Sequence, residues 1–219
     1  QCKCTVLSGN VNPGLYQPSA LSAEELAAGK VLLCCATALG DVEIEYEATS
    51  APSVIRQYTA HVVKMEKLGY DVMRVMLKLQ HGQQIHFRAG QYINIILDGA
   101  LRRAFSFANP PQQLDLIELQ IRLMPGGLYT TYVFEKMKEG DVVRFEGPLG
   151  DFSLRESERP IVFVAGATGF APVKSMVEDA FHRGLKRPIY LYWGVRKLAD
   201  LYLPDLPQQW DRDHENFHF

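Results

Sequence analysis

The chain has 219 residues, 47% hydrophobic and 22% charged, enough for one large domain or two small ones with proper cores and too apolar for a disordered chain. Its 23 basic and 25 acidic residues leave a net charge of −2, which argues against a nucleic-acid binder held by phosphate contacts. Apolar runs such as 92–97 and 161–165 are strand-length and too short to span a bilayer; with no signal peptide at the start, the cytoplasm is the expected compartment.

The first block, residues 1–47, predicts a short helix capped by Ser22, with Glu25 completing a capping box and Gly29 ending it. Strands are expected at 31–35 and 41–46, the second with Val42 and Ile44 on one face. All four cysteines fall here, at positions 2, 4, 34 and 35, which does not resemble a disulfide framework for the whole chain. Adjacent cysteines such as Cys34 and Cys35 rarely pair. Two readings stay open: redox or metal chemistry, or small hydrophobes buried in an apolar strand.

Residues 48–57 are small and polar with one proline and read as a linker. From 58 to about 154 the pattern is nearly all strand, with short aliphatic or β-branched runs at 72–79, 91–97, 114–123 and 141–146. That spacing suggests a small antiparallel barrel. Within it lie Arg103, Ala104, Phe105 and Ser106: a fork suited to phosphate, a flat ring and a short hydroxyl. By themselves these residues also read as an ordinary edge strand with a surface arginine.

The third block changes character. A fully apolar strand at 161–165 runs into the turn 166–172 (GATGFAP), and Pro172 then opens a helix with Val173, Met176, Val177, Ala180 and Phe181 on one face. Gly184 ends the helix and 189–193 is the next apolar strand, so this is a βαβ unit with a parallel sheet. Gly166 and Gly169 allow close backbone approach, Thr168 adds a hydroxyl, and the helix start offers amides to phosphate. Trp193, Gly194 and Arg196 stand at the carboxyl end of the second strand, where ligands of open α/β sheets bind. A tight packing turn and a core tryptophan are the plainer alternatives.

Five runs, 103–106 (RAFS), 125–130 (PGGLYT), 147–152 (GPLGDF), 166–172 (GATGFAP) and 192–196 (YWGVR), occur in that order. Together they resemble the ferredoxin–NADP reductase family over residues 58–219. Residues 1–47 resemble the tail of a plant-type 2Fe–2S ferredoxin domain, with Cys2 and Cys34 at two of the cluster-ligand positions. The combination is similar to the reductases of bacterial oxygenases and of the CDP-6-deoxyglucoseen group. It implies α+β followed by α/β: the tail of a ferredoxin β-grasp (1–47), a linker (48–57), a six-stranded antiparallel β-barrel FAD domain (58–155), and part of a parallel-sheet NAD-binding domain (156–219).

The resemblance also implies roles. Arg103, with Ala104 beside it, would bind the FAD phosphates, Phe105 would stack on the isoalloxazine, and Ser106, the catalytic candidate, would lie near the ring atom that accepts hydride. Gly126, Gly127 and Thr130 would cradle the pyrophosphate. Gly166, Thr168, Gly169 and Pro172, with Trp193, Gly194 and Arg196, would shape the nicotinamide site. The implied partners are NADH or NADPH and a redox partner, an oxygenase or dehydrase component, with electrons passing through FAD to a 2Fe–2S centre.

The sequence departs from the family pattern in places. Phe105 stands where tyrosine is common, the upstream half of the cluster loop is missing, and a Cys-Gly-Pro segment that closes the nicotinamide pocket is not present. The expectation is a chain cut at both ends. Two competing readings are a free flavin reductase, against which the ferredoxin-like block argues, and a barrel that has lost catalysis and serves as a binding module.

Overall fold

The computed structural model describes residues 3–45, 54–97 and 101–219. The chain divides into two compact units, Gln1–Ala51 and Pro52–Phe219. The expected linker falls largely on residues 46–53, outside the described residues.

In the first unit, β1 (Lys3–Ser8) runs antiparallel between β3 (Lys30–Leu32) and β5 (Glu43–Glu45), and β2 (Val11–Asn12) pairs with β4 (Thr37–Ala38). The helix α1 (Ala23–Ala27) starts on the predicted capping box: Ser22 Oγ accepts from Glu25 N at 3.2 Å, and Glu25 Oε2 accepts from Ser22 N at 3.0 Å. Gly29 follows at φ +79, a left-handed position that glycine occupies without a Cβ penalty. The strand expected over 31–35 is shorter. Cys35 N and Ala36 N both bond to Leu32 O, closing a turn that takes Cys34 and Cys35 out of the strand.

The second unit opens with a six-stranded antiparallel sheet. Its strands are β6 (Arg56–Lys67), β7 (Val72–Leu79), β8 (Tyr92–Ile96), β9 (Arg102–Ser106), β10 (Leu116–Arg122) and β11 (Val142–Leu149), in the order β10-β7-β6-β11-β8-β9. Alternate residues Ile93, Ile95, Val75, Leu77, Ile117, Leu119, Val143 and Phe145 fill its core. The end strands β9 and β10 form no ladder among the described residues. The chain just past β9 stitches them instead: Ala108 N bonds to Glu118 O at 2.9 Å, and Glu118 N to Asn109 Oδ1 at 2.8 Å.

One element departs from the all-strand reading of this region. The helix α2 (Leu128–Glu135) has the sequence LYTTYVFE, rich in β-branched and aromatic residues that favour strands in isolation. Tertiary packing overrides that preference, because the helix buries Tyr129 and Val133 against the sheet core.

The βαβ unit is as expected. β12 (Ile161–Gly166) pairs in parallel with β13 (Ile189–Gly194), and a third parallel strand, β14 (Phe217–His218), adds to β13. The connecting helix α3 (Phe170–His182) buries Val173, Met176, Val177 and Ala180, with Pro172 in its first turn. A further helix, α4 (Asp205–Asp213), buries Trp210 and ends on the exposed charges Asp211, Arg212 and Asp213. No helix among the described residues is long and apolar enough to cross a membrane.

Candidate functional site

The strand β9 carries the first group of candidates. It lies at the edge of the sheet, with Arg103 opposite Ile95, Phe105 opposite Ile93 and Ser106 opposite Tyr92. Arg103 and Ala104 are exposed, while Phe105 and Ser106 are half-buried. Strand alternation puts Arg103 and Phe105 on one face. The exposed guanidinium uses Nη1 on Arg102 O at 2.8 Å.

The Phe105 ring meets Tyr129 on α2, with centroids 5.6 Å apart and planes tilted by 46°. This contact joins the first group to the glycine turn before α2. Gly126 has φ +73 and no atom within 4 Å of where a Cβ would sit, so its backbone faces open space. Gly127 is the N-cap and supplies no side-chain cap, leaving the first amides of α2 without a local acceptor. A Cβ at Gly127 would lie 2.5 Å from Thr130 Oγ1, so a larger residue there would displace that hydroxyl. Thr130 is turned inward: its hydroxyl accepts from Met124 N at 3.2 Å and reaches Gly127 O at 3.2 Å, which holds the turn in shape.

Two clefts flank the amino end of α2. One, of about 430 Å³, is lined by Ile95, Leu101, Leu128, Tyr129, Tyr132 and Val143. The other, of about 590 Å³, is lined by Tyr70, Asp71, Arg122, Gly126, Thr131 and Arg196. Both are of ligand size. The second brings together Gly126 and Arg196, which lie far apart in sequence, and adds Tyr70, Asp71 and Arg122, which sequence reasoning missed. Arg122 Nε bonds Asp71 Oδ2 at 2.6 Å, and Tyr70 OH donates to Asp200 Oδ1 at 2.7 Å. That hydrogen bond holds the Asp200 carboxyl below its ordinary pKa and pushes the Tyr70 phenol up.

The third group surrounds the end of β12. Gly166 pairs with Gly194 and Ala165 with Trp193 across the parallel ladder. Gly166 and Gly169 are exposed, with nothing within 4 Å of a notional Cβ at either, and Gly169 caps α3 without a side-chain bond. Thr168 is half-buried between them, and Pro172 is half-buried in the first turn of α3. Trp193 sits in the core: it stacks on Phe170 at 3.9 Å, and its Nε1 donates to Ala167 O at 2.9 Å. That bond steadies the turn at its one left-handed non-glycine residue, Ala167 at φ +46. Arg196 is exposed.

Of the two cysteines assigned to a cluster, Cys2 lies outside the described residues. Cys34 is exposed, with its Sγ 3.7 Å from Cys35 Sγ, beside a cavity lined by Lys3, Tyr16 and Leu32. Cys4 is buried on β1 opposite Val31.

Residues 59–154 match the oxidoreductase FAD-binding domain, and residues 163–219 match the oxidoreductase NAD-binding domain. The fold is that of a cytochrome P450 reductase from Amycolatopsis, with a TM-score of 0.75 and 36% identity over 99% of this chain and 67% of that one. The chain belongs to the ferredoxin–NADP reductase-like family of FAD- and NAD-binding oxidoreductases. It is also 36% identical to the CDP-6-deoxy-L-threo-D-glycero-4-hexulose-3-dehydrase reductase of Yersinia pestis, matching 100% of this chain and 66% of that protein. The chain thus spans just under two thirds of that relative's length. Phthalate dioxygenase reductase, described as a modular structure for electron transfer from pyridine nucleotides to [2Fe-2S], shares the fold, with a TM-score of 0.65 at 21% identity over 74% of this chain and 51% of that one.

The residues present fit FAD. The ring of Phe105 touches Tyr129 on α2, a helix whose start is uncapped and preceded by the close glycine turn at 126–127; an exposed arginine stands two residues before Phe105, and Tyr129 lines a cleft of ligand size. Those are the elements a flavin nucleotide needs: a ring platform, phosphate donors and an enclosing wall.

Proposed function

We propose that the protein containing this chain is an NAD(P)H-dependent flavoprotein reductase that passes electrons through FAD to a 2Fe–2S centre, and on to an oxygenase or dehydrase component. FAD held here would supply the redox chemistry, linking a two-electron nicotinamide donor to a one-electron iron–sulfur acceptor. The chain's own residues bind and orient. Arg103, with Ala104 beside it, and the amides after Gly127 would hold phosphate, Phe105 would carry the isoalloxazine, and Ser106 would be the hydroxyl near its reacting edge. Gly126, Gly127 and Thr130 form the pyrophosphate cradle.

In the same reading Gly166, Thr168, Gly169 and Pro172 shape the nicotinamide nucleotide site, with Trp193 and Gly194 buttressing it and Arg196 reaching in. Cys2 and Cys34 serve as two cluster ligands. Residues 1–47 are the end of a ferredoxin domain, 48–57 a linker, 58–155 the FAD domain and 156–219 the start of the NAD domain, in the cytoplasm.

The observation that carries the reading is the junction at Tyr129. There the ring of Phe105 meets the buried ring of Tyr129, the second residue of α2, and this tie between the strand and a helix whose start has no side-chain cap supports a ring platform beside a phosphate site. The test is to saturate the purified protein with flavin, release the cofactor by heat and identify it by chromatography. FAD is the expected product. Recovery of FMN, or of no flavin after incubation with FAD, contradicts the assignment.

A further inference from the structure

We infer that Lys174, through a buried three-way contact, is the positioning residue that fixes the nicotinamide-side turn against the flavin-side strand. The inference rests on the proposed function and extends it to a residue outside both sites. Lys174 lies on α3 and is only 7% exposed, a costly place for an ammonium group. All three of its protons have partners from two sides of the molecule. Nζ donates to Ala108 O at 3.0 Å and to Glu118 Oε2 at 3.0 Å, both on the FAD side, and meets Glu178 on its own helix at 3.0 Å.

The partners are themselves held. Glu118 Oε1 accepts from Gln120 Nε2 at 3.0 Å and lies 3.3 Å from Arg74 Nε; Gln120 Oε1 in turn accepts from Tyr202 OH at 2.6 Å. The neighbouring residues of α3 reach across as well: Ser175 Oγ donates to Asn109 O at 2.7 Å, and Gln112 Nε2 donates to Asp179 Oδ1 at 2.7 Å. The segment 108–112 is therefore bonded to successive turns of one helix.

The placement of this contact is what gives it a role. Ala108 follows Ser106 by two residues, so the clamped carbonyl belongs to the direct continuation of β9. Lys174 follows Gly169 by five residues, or roughly 7.5 Å along the helix axis. One end of the clamp is thus tied to the strand that carries the flavin candidates and the other to the turn that carries the nucleotide candidates. An error of about 1 Å between two reacting groups can cost about a hundredfold in rate. A core contact that served packing alone would be better made by an apolar residue, since replacing a buried ion pair by apolar groups is often neutral or stabilising.

The test compares the full-length FAD-loaded protein with Lys174→Met, which keeps side-chain length and loses the charge. The expected result is a fall of about a hundredfold in the rate at which NADH bleaches the flavin, with the dissociation constant for NADH and the flavin midpoint potential unchanged. In flavin-free protein, amide exchange should quicken together in segments 106–112 and 166–174 and stay slow in β6 and β7. Lys174→Arg should recover part of the rate. If Lys174→Met does not fold, Lys174→Met with Glu118→Gln removes both charges together and takes its place. A bleaching rate within threefold of the parent, or a loss confined to flavin retention, overturns the inference. A parent protein that binds no flavin or is not bleached by either nucleotide overturns the proposed function instead.

Discussion

The proposed role of Arg103 in holding the FAD phosphates can be tested by substitution. The residue is exposed, on the same strand face as Phe105, and its Nη1 donates to the neighbouring Arg102 O, which leaves most of the fork open to a ligand. Replacing it with alanine removes a charge-assisted contact to phosphate, and FAD affinity is expected to fall by about 1.5–3 kcal/mol. Fluorescence titration of FAD into the apoprotein measures this; an unchanged affinity removes Arg103 from the site. Gly127→Ala tests the turn. The new Cβ would sit 2.5 Å from Thr130 Oγ1, so the hydroxyl must leave Met124 and Gly127, at a cost of about 1–3 kcal/mol in stability. Urea unfolding of the apoprotein reads that cost, and a variant as stable as the parent would show that the turn adapts.

The Tyr70–Asp200 bond has a pH signature. Asp200 titrates below its ordinary value in the folded chain, chiefly because it accepts from Tyr70 OH. A depressed carboxyl pKa contributes stability above the unfolded value of about 3.9, and the contribution disappears as pH falls through the folded pKa. Tyr70→Phe deletes the bond. The melting temperature of the variant should therefore lie below that of the parent at pH 7, and the two should converge in acid. A constant gap from pH 7 to pH 3 would show that the bond does not set the Asp200 pKa.

The elements differ in how far their sequences announce them. The capping box of α1, strand β7 and the β12–α3–β13 unit follow local rules of spacing and turn chemistry, and each is where those rules put it. The helix α2 is not, because LYTTYVFE carries a strand propensity that packing against the sheet core overrides. The run 161–165 is wholly apolar in sequence, yet Val162 and Val164 are 61% and 78% exposed and only alternate residues enter the core. Composition identifies an apolar strand but not which of its faces is covered. Trp193→Phe belongs to this scale: it keeps the stack on Phe170 and deletes the Nε1 bond to Ala167 O. A loss of about 0.5–1.5 kcal/mol in urea unfolding is expected, and none would mean that the turn holds Ala167 at positive φ unaided.

For the molecule as a whole, the candidate residues were legible as types and in their order, but their meeting points were not. Nothing in the spacing says that Gly126 and Arg196 line one cleft, or that Phe105 and Tyr129 touch; those contacts depend on how β9, α2 and β13 are stacked. Lys174 and Glu118 were hidden for the same reason. Each is a lone charge in an apolar run, and only the fold shows that they neutralise one another. The central claim is that these surfaces together take electrons from a nicotinamide into a flavin. The most direct measurement is anaerobic stopped-flow absorbance of the full-length FAD-loaded protein mixed with NADH or NADPH. The account predicts bleaching of the flavin band by at least one of them, on the order of 1–1,000 per second. Bleaching by dithionite but by neither nucleotide would contradict it.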